Sequence, residues 1–183
     1  MWYDEALQTI ALAEHLRCGK VSLIGTSGGA WAAVNAALER PDLFHAVVAD
    51  SFDGRTLNDN FSANLLSERK AAKEDTQARQ FYEYCQGADW EKIVDLDTEA
   101  LLKCAKEKRP LFHKPLEELK MPILFMGSKE DESCRHNMEE EYREMASMCS
   151  QSSVFLFPNG GHPSLFSNAE KTADIICNFI FQQ

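Results

Sequence analysis

VSLIGTSGGAWAA, running from Val21 to Ala33, decides how this chain is read. Val21–Ile24 reads as a short apolar strand, and Gly28–Arg40 as an alanine-rich helix stopped by Pro41. Gly25-Thr26-Ser27-Gly28-Gly29 joins the two. A G-x-S-x-G match arises by chance in roughly one chain of this length in fifteen or twenty, so the pentapeptide alone decides nothing. The strand before it and the helix after it carry the argument. In that context small residues at Gly25 and Gly29 let the backbone turn sharply, which lifts the Ser27 hydroxyl above the sheet. The Gly28 amide, at the helix amino terminus, then faces the place where an oxyanion would develop. The competing reading is a phosphate-cradling or purely structural turn.

Ala6, Leu7, Ile10, Ala13 and Leu16 recur at helical spacing, so residues 3–17 read as an amphipathic helix. Ala46–Ala49, Pro122–Gly127 and Ser153–Pro158 are three further apolar strands, with helices at Asn137–Cys149 and Asn168–Phe181. Continuous apolar strands alternating with helices predict an α/β fold, a mostly parallel sheet of about four strands covered on both faces. Between Ser51 and Lys120 no strand reads clearly, and helical patterns recur at Ala63–Lys73, Ala78–Cys85 and Thr98–Glu107. A parallel crossover needs only one helix, so this stretch is an insertion. The expected division is a core of residues 1–52 and 121–183 with a helical lid at 53–120. In the lid, Phe81, Tyr82 and Trp90 are candidate substrate-binding side chains, or else form the small core of that segment.

A chain of 183 residues, 44% hydrophobic and 26% charged, is large enough to bury a real core. Its net charge of −10 opposes a polyphosphate backbone, so nucleic acid is not an expected partner. No stretch reaches the roughly 18 uninterrupted apolar residues of a membrane span, and the start lacks a signal-peptide pattern. Six cysteines without a C-x-x-C pair fit reduced thiols and a cytoplasmic setting. Cys134 and His136 lie two apart, but no other ligands cluster with them in sequence, so neither a metal nor a cofactor is expected. Glu139, Glu140, Glu141 and Glu144 read as a solvated helix face.

An activated serine needs a base, and the base an orienting acid, in the chain order Ser, Asp/Glu, His. Asp131 and Glu130 follow the third strand, and spacing alone cannot separate them; Asp131 is preferred. His162 follows the fourth strand in the glycine-flanked stretch PNGGHPS. His15, His45, His113 and His136 lie in settings that suit surface or packing roles.

GTSGG, ERPDLFHAVVADS, MPILFMGSKEDE and FPNGGHPSLF, in that order, resemble the α/β-hydrolase superfamily, especially its lidded esterase and aminopeptidase-like branch. The resemblance implies Ser27 as nucleophile, Asp131 as acid, His162 as base and Gly28 as oxyanion donor. It implies cleavage of a small-molecule ester, less readily an amide. Members have further strands before the nucleophile strand and an oxyanion segment after the third of them. Nothing in Met1–Lys20 resembles that segment, so the chain reads as the carboxyl-terminal two-thirds of such a protein, with impaired turnover expected. A catalytically silent domain that binds a ligand or partner is the alternative. Val21–Ile24 would form an open sheet edge, and a homo-oligomer joined through Met1–Ile24 is the expected way to cover it.

Overall fold

The computed structural model describes residues 1–181. The chain divides into two compact units: a helical one spanning Leu57–Arg109, and an α/β one built from Trp2–Thr56 and Pro110 onward.

In the α/β unit, α1 (Trp2–Leu16), β1 (Val21–Thr26), α2 (Gly28–Glu39) and β2 (Phe44–Asp50) precede the helical segment. After it come β3 (Ile123–Ser128), α6 (Met138–Met148), β4 (Ser152–Phe157), α7 (Ser164–Ser167) and α8 (Ala169–Phe181). The four strands form one parallel sheet in the order β1-β2-β3-β4. Every residue of β3 is buried, as expected for a strand covered on both faces. Because side chains alternate across a strand, Leu124 and Met126 join Val48, Phe157 and Ile176 on the face covered by α8. On the opposite face Phe125 meets Phe52 and Tyr142, and Phe52 meets Trp31 edge-on at 5.5 Å. Ala30 through Leu38 are all buried, and every one of them but Asn35, which donates to the Trp31 and Leu111 carbonyls, is apolar.

The strands run one to two residues beyond most of the apolar runs that mark them, since the backbone ladder continues into polar residues. Thr26, Asp50 and Ser128 stand at those carboxyl ends. β1 is only partly buried because it is an edge of the described sheet, and Ile24 is 51% exposed. No described helix is long and apolar enough to cross a membrane.

The acidic face of α6 is not uniformly solvated. Glu141 is buried, accepts hydrogen bonds from the Arg55 backbone and guanidinium at 2.8–2.9 Å, and lies 3.4 Å from Arg135. Burial alone would raise its pKa, but the hydrogen bonds from Arg55 and the charges of Arg135 and Arg55 outweigh this and lower it. A carboxyl depressed in the folded state contributes stability above its ordinary value of 4.5 and loses it as pH falls through the folded value. Glu141→Gln should therefore cost about 2–3 kcal/mol in urea unfolding at pH 7, and the gap from wild type should narrow below pH 4.5. A gap that is constant with pH would remove the ion pair from the account.

The helical unit consists of α3 (Phe61–Glu74), α4 (Thr76–Gln86) and α5 (Trp90–Glu107). The Asp75 carboxylate caps α4 by accepting from the Ala78 N–H at 2.7 Å. Trp90 is buried and stacks on Tyr82 at 5.8 Å between ring centres. Arg69 donates to the Tyr82 hydroxyl at 2.8 Å and pairs with Asp97 at 2.6 Å. Phe81 is 60% exposed.

Candidate active site

Ser27 sits between β1 and α2 with φ 53° and ψ −126°, a left-handed conformation that costs a non-glycine residue of order 1–3 kcal/mol. The strain is held by the packing around the turn. Ser27 N–H donates to the Asp50 carbonyl at 2.9 Å, and its own carbonyl accepts from Ala30 at 3.0 Å. Gly25 is obligatory for contact: a Cβ there would stand 2.2 Å from the Gly29 carbonyl oxygen. Gly29 is not, since a Cβ there meets nothing within 4 Å. Only the first glycine of the motif is demanded by close approach. The sequence treats the two alike.

Three loops at the carboxyl ends of β1, β3 and β4 converge. His162 Nε2 lies 3.0 Å from Ser27 Oγ, and His162 Nδ1 lies 2.9 and 3.1 Å from the two Asp131 carboxylate oxygens. An ionised carboxylate only accepts, so Nδ1 carries the proton and donates to Asp131; the Nε2 lone pair then accepts from the Ser27 hydroxyl. The Asp131 side chain is wholly buried and its Oδ1 also accepts from the Ser133 N–H, whereas the His162 ring keeps 21% exposure. Glu130 is exposed.

Two groups beside these were not singled out by their sequence. Asp50, fully buried at the end of β2, accepts from Thr26 Oγ1 at 2.8 Å, from the Leu165 N–H at 3.2 Å and from the Ser164 hydroxyl. Ser51, also buried and at φ 50°, accepts from the Ser164 N–H at 2.8 Å. One carboxylate thus ties the serine turn to the segment that follows His162. A carboxylate at the polar end of an apolar strand was the available signal. The other group is Trp2, buried against Trp31 with ring centres 4.4 Å apart. Its indole Nε1 lies 3.1 Å from where a Gly28 Cβ would stand, and it makes no hydrogen bond among the described residues. Phe81, Tyr82 and Trp90 lie in the helical unit, where Trp90 and Tyr82 pack on one another.

A family model described as the alpha/beta hydrolase family matches residues 2–175. The chain belongs to the alpha/beta hydrolase family. Solved structures of like fold include a serine hydrolase involved in carbazole degradation, at 20% identity and a TM-score of 0.67, with 91% of this chain and 65% of that one covered. A meta-cleavage product hydrolase from Pseudomonas fluorescens, crystallised with acetates, matches at 15% identity and a TM-score of 0.73, covering 95% and 69%. An esterase from Exiguobacterium antarcticum matches at 17% identity and a TM-score of 0.63, with 98% of this chain and 75% of that one covered. At such identities the likeness is one of fold. The chain spans about two thirds to three quarters of the length of these structures. No curated protein sequence matches it.

Proposed function

We propose that the chain carries the triad of a serine hydrolase that cleaves carboxylic esters, and less readily amides, through an acyl-enzyme. The observation that carries this is the unbroken line of contacts from Asp131 through His162 to a strained Ser27. His162 Nε2 takes the Ser27 proton as Oγ attacks the carbonyl carbon, and the imidazolium so formed is stabilised by Asp131. The same proton goes to the leaving alkoxide or amine. Water, giving its proton to Nε2, then attacks the acyl-serine and frees the acid. The names serine hydrolase and esterase among the structures of like fold support this reading.

The oxyanion would be held by the Gly28 N–H and by the indole N–H of Trp2. A Cβ stands about 2.5 Å from its own nitrogen, so the Trp2 and Gly28 nitrogens are at most roughly 5.6 Å apart, within the span of two donors sharing one oxygen. Trp2→Phe keeps a ring against Trp31 and removes the donor. It should lower kcat about a hundredfold with KM nearly unchanged. A kcat within about twofold of wild type would leave Trp2 a packing residue.

The direct test is a fluorophosphonate probe, which bonds covalently to an activated serine. One adduct should form, at Ser27, and should be lost in Ser27→Ala. A folded sample that takes up no probe would overturn the proposal.

A further inference from the structure

Cys134 is buried, with its Sγ 3.9 Å from His162 Nδ1. Its sequence neighbour His136, two residues on, is exposed and takes no part. One carboxylate oxygen of Asp131, Cys134 Sγ and a ring nitrogen of His162 all lie within 4.8 Å of one another. We propose that Asp131, Cys134 and His162 form a binding site for a thiophilic divalent cation, zinc or cadmium, and that its occupation switches the triad off. The switching rests on the hydrolase reading above; the binding does not.

The geometry is close to what such an ion takes. Ligand bonds of about 2.0–2.3 Å in a tetrahedron set the three ligand atoms roughly 3.3–3.6 Å apart. Here Nδ1 lies 2.9–3.1 Å from the carboxylate oxygens and 3.9 Å from the sulfur, and all three ligand atoms lie within 4.8 Å of one another, so shifts of about an ångström would seat the ion. Donor type points the same way, because a thiolate with an imidazole selects zinc or cadmium over magnesium or calcium. Charge balances too. A divalent cation held by one thiolate and one carboxylate is neutral, which suits a site whose carboxylate is wholly buried.

The proton inventory explains the switching. At neutral pH a thiol of ordinary acidity is protonated, so Cys134 Sγ carries a proton until an ion displaces it. On binding, the thiol proton leaves to solvent as the metal–sulfur bond forms. The Nδ1 proton shifts to Nε2, which frees the Nδ1 lone pair for the metal. Nε2 is then a donor without a lone pair and cannot take the Ser27 proton. Asp131 has meanwhile exchanged its imidazole hydrogen bond for the ion.

The test uses the full chain, stripped of metal with a chelator and titrated with cadmium chloride. Equilibrium dialysis should show a tight site at one ion per chain, with ultraviolet thiolate-to-cadmium charge-transfer absorption. In Cys134→Ala that site should weaken at least a hundredfold, while a variant with the exposed Cys18, Cys85 and Cys177 changed to Ser keeps it. Should Cys134→Ala prove insoluble, Cys134→Ser should weaken binding at least tenfold. Equal binding with and without Cys134 overturns the site. Cadmium should also slow fluorophosphonate labelling of Ser27 in wild type at least tenfold, and magnesium should not. Tight binding with undiminished labelling would overturn the switching. Failure to label even without metal would count against the hydrolase reading alone, the dialysis result being unaffected.

Discussion

Ser27→Ala should reduce hydrolysis of a simple activated ester such as p-nitrophenyl acetate by about 10⁴–10⁶, to near the background rate. The change removes the only atom that would bond to the acyl carbon. It leaves the turn intact, because the hydrogen bonds that hold it use the Ser27 backbone, not its hydroxyl. Alanine at φ 53° is as strained as serine, so the urea midpoint should stay close to wild type. His162→Ala should fall by a similar factor, and the double variant should be no slower than either single one. Groups that act as a unit are lost as a unit. Additive losses would mean that Ser27 and His162 work independently despite the 3.0 Å between them. A Ser27→Ala enzyme retaining more than a tenth of the rate would place the nucleophile elsewhere.

The order of elements was legible because every strand of this sheet is an apolar run bounded by a break, and each break falls where the chain turns. Val47–Ala49 and Ile123–Met126 are buried nearly completely, and no helical spacing competes there. Ser27 was legible for a related reason: a serine between a strand and a helix of small residues has few structural roles. His162 stood out by its loop. What remained hidden depends on distances through space. Nothing local distinguishes Glu141 from Glu140, yet one meets two arginines and the other solvent. Asp50 looks like the polar end of a strand until Thr26, Ser164 and Leu165 are seen to converge on it. Cys134 invited comparison with His136 because they are neighbours in the chain. Its partner is 28 residues away, brought there by the pairing of β3 with β4.

The same contrast between chain and space separates two glycines that the motif treats alike. In Gly25→Ala the new methyl would stand 2.2 Å from the Gly29 carbonyl oxygen, 2.6 Å from its carbon and 2.9 Å from Ala30 Cα. All three are backbone atoms, so no rotamer change relieves the clash. Either β1 and α2 move apart by about an ångström, or the first turn of α2 unwinds. Overpacking that flexible side chains absorb costs about 1–3 kcal/mol; against rigid backbone the cost should reach about 4 kcal/mol. For a chain of 183 residues that is roughly a 10 °C fall in Tm. Separation of β1 from α2 also carries Ser27 out of reach of His162, so probe labelling of the folded fraction should drop with stability. Gly29→Ala should do neither, because its methyl projects into open space, and a helical alanine gains about 0.5–1 kcal/mol over glycine. Equal tolerance of alanine at both positions would mean that the close passage of strand and helix is not what holds the serine in its strained conformation.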